Sequence, residues 1–191
     1  MEPMAYTTDV STSGAPGELE RVRRFVNSYD AETDEEQLSS PGALAEWLAS
    51  ERLCDEPGEL TERDVQRAVA FREALRAALI ANNSGEPLDE GTVARMNEAL
   101  QGAALVPAVA GDGSISFEPA GRGVGAALAT LAAIAREAMA TGEWARLKVC
   151  PADDCLWAFY DTSRNRSKRW CSMEVCGNRH KVRAYRDRSH A

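Results

Sequence analysis

The feature that most constrains this chain is a set of four cysteines near its end. They are grouped as Cys150-Pro-Ala-Asp-Asp-Cys155 and Cys171-Ser-Met-Glu-Val-Cys176, with fifteen residues between the pairs. Two short Cys loops separated by a hairpin-sized insert bring four thiolates to one point, the arrangement a tetrahedral zinc ion requires. Four thiolates also close the coordination shell and leave no position for water or substrate. The spacing therefore predicts a structural site, with Cys150, Cys155, Cys171 and Cys176 as ligands to Zn2+. An insert this small cannot stabilise itself by burial, so the metal is expected to supply much of its folding free energy, on the order of 10 kcal/mol.

The net charge of −8 argues by itself against a nucleic-acid partner, but the average conceals a split. Residues 1–145 carry 11 Lys+Arg against 25 Asp+Glu, a net of −14; residues 146–191 carry 11 against 5, a net of +6. A basic segment on an acidic body is the pattern of a binding module attached to another domain. Arg164, Arg166, Lys168 and Arg169 crowd the insert between the Cys pairs. Beyond them Arg179, Arg183 and Arg186 recur at helical spacing and share one face, and Asn178 and Lys181 lie beside them. Planar guanidinium suits phosphate and guanine edges, so these nine residues form the predicted nucleic-acid surface. Some arginines are expected to offset the thiolate charge or to pair with the acidic body. DNA is the favoured partner and RNA the alternative.

The rest of the chain reads as mostly helical. The expected fold class is α+β, mainly α: a helical N-terminal domain with one β-hairpin, followed by a small treble-clef-like zinc finger built on the four cysteines. The expected boundaries are a disordered segment at 1–17, a helical regulatory domain at 18–145 and the finger at 146–191. A first helix is predicted over Leu19 to Tyr29, and the acidic run Ala31 to Gln37 reads as a solvated loop. Ser40-Pro41 opens a helix with Leu44, Trp47 and Leu48 on its apolar face. Thr61 to Asp64 forms a capping box before a long helix from Val65 to Ala81, which Asn82 to Gly85 ends. Asp89 caps a further helix to about Leu100. Ala103 to Glu118 reads as a hairpin with a Gly-rich turn, and Gly121 to Thr141 as an Ala-rich helix. Within the finger, Leu156 to Asp161 is expected to pair with Arg169-Trp170. Gly177 is expected to permit a tight turn into a helix whose Val182 and Tyr185 pack on that hairpin.

The N-terminus lacks the pattern of a signal peptide, and Val124 to Ala140 is too short and polar to span a bilayer. A cytoplasmic location without a membrane partner follows, where thiols stay reduced and metal is favoured over disulfide. Cys54 stands alone and reads as a small hydrophobe. Asn27, Asp30 and Trp47 are candidates to line a pocket for a small-molecule effector, but the simpler reading makes Asn27 a helix end and Trp47 ordinary core. The two histidines, His180 and His190, both lie in the basic tail and no catalytic motif occurs, so an enzyme is not expected. A single finger reads few base pairs, so a homodimer would aid specificity.

Cys171-Ser-Met-Glu-Val-Cys176-Gly177-Asn178-Arg179 resembles the signature of the CGNR zinc finger family, and Phe159 to Asn165 is similar to that family's hairpin. Phe25-Val26-Asn27-Ser28-Tyr29-Asp30 followed by Leu44 to Leu48 resembles the ABATE domain that commonly precedes this finger, with Ser28-Tyr29 departing from the Asn-Thr pairing typical there. Together the resemblances span nearly the whole chain. They imply a bacterial, stress-induced transcription regulator whose finger binds DNA, with the four cysteines as metal ligands and Gly177, Asn178 and Arg179 as the motif after them. They supply no effector. Two alternatives from other classes are a protein-interaction module and a redox switch that releases zinc when its thiolates are oxidised.

Overall fold

Short polar residues set the helix ends. Ser40 accepts a hydrogen bond from the Ala43 N–H (3.2 Å) ahead of Pro41, so helix α2 (Pro41–Ser50) starts where its first turn tolerates proline. The Asp64 carboxylate reaches back to the Thr61 N–H at 2.9 Å, fixing the start of helix α3 (Glu62–Ser84). Asp89 accepts from the Thr92 N–H and opens helix α4 (Glu90–Ala99). Gly85 (φ 78°) and Gly142 (φ 76°) close α3 and helix α5 (Gly123–Thr141) in a left-handed conformation that costs glycine little. The computed structural model describes residues 14–54 and 57–189. The expectation of disorder for residues 1–13, and His190, lie outside that range. Ala15, just inside it, is buried and donates its N–H to Glu20.

Helix α1 (Leu19–Val26) buries Leu19, Val22, Phe25 and Val26. It stops short of Tyr29 because Tyr29–Asp30 (β1) leaves the helix to pair with Glu35–Glu36 (β2). The acidic run is thus a small hairpin rather than a solvated loop. The reason is Arg72, a buried α3 side chain that grips both carboxylate oxygens of Glu36 at 2.7 Å. Strands β3 (Leu105–Val109) and β4 (Ile115–Pro119) form the expected hairpin beyond α4. Helix α5 is long and apolar enough to pass as a membrane span by composition. Its apolar character is used otherwise: Val124, Ala127, Leu128, Leu131 and Ala135 are buried in the core, alongside Phe25, Phe71, Leu75 and Leu79.

After a single 3-10 turn (Trp144–Arg146), the chain enters β5 (Leu147–Val149), which pairs antiparallel with β6 (Ala158–Tyr160). This corrects the expected pairing of Leu156–Asp161 with Arg169-Trp170. The partner lies before the first Cys pair, so the Cys150–Cys155 loop is the turn of the hairpin. Strand alternation divides its two faces. Leu147, Val149 and Ala158 join the main core, whereas Phe159 packs with the four cysteines. The finger is therefore rooted in the core of the helical body.

One side chain secures that root. Asn27 ends α1 and is 6% exposed. Its amide donates to the Ala158 carbonyl (2.9 Å) and accepts from the Ala158 N–H (2.7 Å), across 131 residues of sequence. Asn27→Ala leaves the buried Ala158 N–H unpaired and its carbonyl with only a long contact from Arg23 (3.5 Å), and is expected to cost about 2 kcal/mol. A lowered urea midpoint with unchanged slope would register it; an unchanged midpoint would refute the assignment.

Candidate metal centre and basic surface

Cys150 follows β5 and Cys155 precedes β6; Cys171 stands two residues before a helical turn (Met173–Gly177) that contains Cys176 and runs directly into helix α6 (Asn178–Ser189). The four Sγ atoms lie within 4.8 Å of one another, and Cys171 Sγ is 3.6 Å from both Cys155 Sγ and Cys176 Sγ. Sulfurs at the corners of a tetrahedron around zinc, each about 2.3 Å from the metal, stand about 3.8 Å apart. The donor set and its spacing fit that ion. All four cysteines are buried, at 0–7% exposure, behind Phe159, Trp157 and Trp170.

As bare thiols the group is electrostatically uneven. Hydrogen bonds from the thiols of Cys155 and Cys171 hold Cys150 down to about 2. The bond to Cys150 pushes Cys171 up to about 12 and raises Cys155 as well, while burial raises Cys176. Sulfurs this close repel one another when ionised, so ionising one raises its neighbours. A divalent cation displaces the remaining protons, so metal affinity falls as the pH drops.

Gly177 is helical rather than the expected tight turn. A Cβ there would meet Met173 Sδ at 2.4 Å, so the glycine makes room for the Met173 side chain. Val182 (48% exposed) and Tyr185 (67% exposed) are not buried as a packed face would be, and Trp170 stacks against His180 with ring centres 4.8 Å apart. That contact ties the insert to the start of α6.

The insert owes its shape to a buried ion pair that the sequence reading passed over. Lys148 alternates with Leu147 and Val149 in β5 and so points away from the core. Its ammonium meets Asp161 at 2.8 Å and donates to the carbonyls of Arg166 (2.6 Å) and Lys168 (3.1 Å). Asp161 also accepts from the N–H groups of Ser163 and Lys168 at 2.9 Å. These bonds hold the loop in place, including Arg166 in its left-handed conformation (φ 53°). Burial acts to raise the Asp161 carboxyl, but Lys148 and Ser163 outweigh it and hold the group below its usual range. A depressed carboxylate contributes stability that is present above the unfolded value of about 3.9 and is lost as pH falls through the folded one. The stability gap between wild type and Asp161→Asn, measured by denaturation across pH, is therefore expected to be constant at neutral pH and to shrink below about pH 4.

The nine predicted nucleic-acid residues divide into two groups. Arg179 pairs with Asp154 (2.8 Å) and Glu32 (3.4 Å), and Arg183 with Asp154 (3.2 Å). Lys168 lies over the Phe159 ring, and the Asn178 amide donates to the Glu174 carbonyl. Arg164, Arg166, Arg169, Lys181 and Arg186 are exposed, with no ion-pair partner among the described residues. None of the arginine hydrogen bonds described goes to a cysteine sulfur; the offsetting contacts are to Asp154 and Glu32.

The candidate effector residues do not converge on one cavity. Asn27 is committed to Ala158. Trp47 packs on Phe25 with ring centres 5.5 Å apart and donates to Gln37. Asp30 lines a cleft of about 230 Å3 beside the cysteines, with Glu32, Trp157 and Val175. The sequence reading also missed the side chains that join body to finger. Asn82 donates to the carbonyls of Trp144 and Leu147, Asn83 to those of Val149 and Arg169, and Arg76 to those of Val26, Tyr29 and Leu156. Two adjacent asparagines inside the last turn of a helix were the available signal, since asparagine gains nothing there without a partner.

Fold and site together define a class: a mainly helical domain that carries a small finger with a four-cysteine metal site. The chain belongs to the ABATE family, whose description is "Putative stress-induced transcription regulator" and whose pattern matches residues 20–142; the CGNR zinc finger follows at residues 146–189. No curated protein matches the sequence.

Proposed function

We propose that the protein is a zinc-dependent DNA-binding transcription regulator in which the metal centre stiffens the insert and α6 so that their free arginines meet the phosphate backbone. The observation that carries this reading is the group Arg164, Arg166, Arg169, Lys181 and Arg186, exposed and unpaired among the described residues, in a segment of net charge +6. Every other strong cation of the finger whose side chain is described has a partner or an aromatic contact. Five phosphate contacts give an affinity that falls with salt at a logarithmic slope of about −4 to −5. Arg164→Ala with Arg166→Ala is expected to reduce the steepness of that slope by about 2. Titration of duplex DNA with zinc-loaded protein over a salt series measures both; absence of binding at low salt removes the reading. Structured RNA as competitor separates RNA from DNA recognition. The closed four-thiolate shell supports a non-enzymatic role, and burial of all four sulfurs speaks against a freely accessible redox switch. A cytoplasmic location and a response to stress belong to the same proposal.

A further inference from the structure

We propose that the cavity between α3, α4 and α5 is a binding site for a small, neutral, mainly apolar molecule carrying one hydrogen-bond donor. The cavity measures about 590 Å3, within the span of roughly 300–1,000 Å3 in which small organic ligands are held. Its walls include Leu75 of α3, Met96 of α4, Leu100 at the α4 end, Ala132 and Met139 of α5, and Trp144. Two charged residues line it, Glu86 and Arg136, of opposite sign and both exposed, and Arg136 already pairs with Glu137 at 3.0 Å. The balance favours an uncharged occupant, because an ion would find a like charge beside any opposite one.

The polar feature of the wall is Asn82. Its amide nitrogen is used by the carbonyls of Trp144 (2.9 Å) and Leu147 (3.0 Å), and no group among the described residues donates to its Oδ1. An amide fixed on one side with its acceptor unused is suited to a ligand hydroxyl or N–H. The same side chain holds the entry to β5, three residues before Cys150. Occupation of the cavity therefore tightens the seam between body and finger. That consequence gains regulatory meaning only through the DNA-binding reading, whereas the site itself stands apart from it.

The test uses the full chain and N-phenyl-1-naphthylamine, a neutral apolar fluorophore with a single N–H. Saturable fluorescence enhancement at one site per chain is expected. Ala132→Phe fills the cavity and is expected to weaken binding by roughly tenfold or more. Met139→Arg is expected to weaken it comparably, and because Met139 is 54% exposed this second variant keeps the fold. Ala133→Phe, in the separate groove lined by Phe117 and Ile134, is expected to leave binding unchanged. Amide exchange over residues 144–149 is expected to slow on binding; unchanged exchange would overturn the coupling. Absence of saturable binding, or loss through Ala133→Phe rather than the other two, would overturn the site. A change in sedimentation mass with probe affinity intact would assign the cavity to a second copy of the chain and overturn it as well. None of these readouts requires metal or DNA, so failure here is distinct from failure of the regulator reading.

Discussion

Cys171→Ser protein is expected to purify with almost no bound zinc, against about one ion per wild-type chain, and to lose the ordered structure of the insert and α6. Cys171 is the sulfur through which the two pairs are joined, standing 3.6 Å from one ligand of each loop. Structural zinc contributes folding free energy of about 10 kcal/mol or more at such sites, because the ligand loops have little else to hold them. The loss has a boundary, however. Leu147, Val149 and Ala158 belong to the main core, and Asn27, Asn82 and Asn83 grip the β5–β6 backbone from the helical body. The hairpin should therefore survive in the variant while residues 161–189 become open to protease. Metal analysis and limited proteolysis decide it. Retention of metal at wild-type levels, or collapse of the whole chain, would contradict this division.

Arg76→Leu is expected to be the most destabilising substitution outside the metal centre, at about 4 kcal/mol, or roughly 10 °C in melting temperature. The guanidinium is buried and joins three separate segments: Val26 at the end of α1 (2.7 Å), Tyr29 in β1 (3.3 Å) and Leu156 beside the second cysteine (2.6 Å). Leucine of similar bulk fills space but leaves those carbonyls without their donor, while Glu73 keeps only its bond to Arg72. Arg72, one turn earlier, is buried as well and is bound by Glu36 and Glu73. The two guanidiniums lie 5.4 and 5.9 Å from the centre of the Tyr29 ring. A calorimetric melt shifted by less than a degree or two would show that these bonds carry no weight.

Arg72 and Arg76 also mark the limit of what the sequence disclosed. Inside a long amphipathic helix they look like ordinary surface cations, and only the fold reveals that the β1–β2 hairpin and the finger cover them. Features set by local chemistry were legible: the Ser40 and Asp89 caps, the Gly85 and Gly142 stops, the β3–β4 hairpin, and above all the cysteine spacing. Partner choice was not. The Leu156 to Asp161 segment has the propensity of a strand, yet propensity does not say on which side its neighbour lies. Leu147-Lys148-Val149 supplied the better partner because its alternate residues satisfy the core on one face and Asp161 on the other. Helical periodicity placed Val182 and Tyr185 on one stripe, but it does not say how far that stripe is covered, and both side chains are exposed. Asn27 appeared as a helix end, and it is one; its second role, pairing with a peptide 131 residues away, leaves no trace in its neighbourhood.

In the proposed function a metal ion at the four cysteines holds the unpaired cations of the finger in a form that grips DNA, and titrating one duplex at low salt with zinc-loaded, chelated and zinc-restored protein tests that dependence. Binding that disappears on chelation and returns with zinc is the predicted result. Equal binding by all three preparations would contradict it.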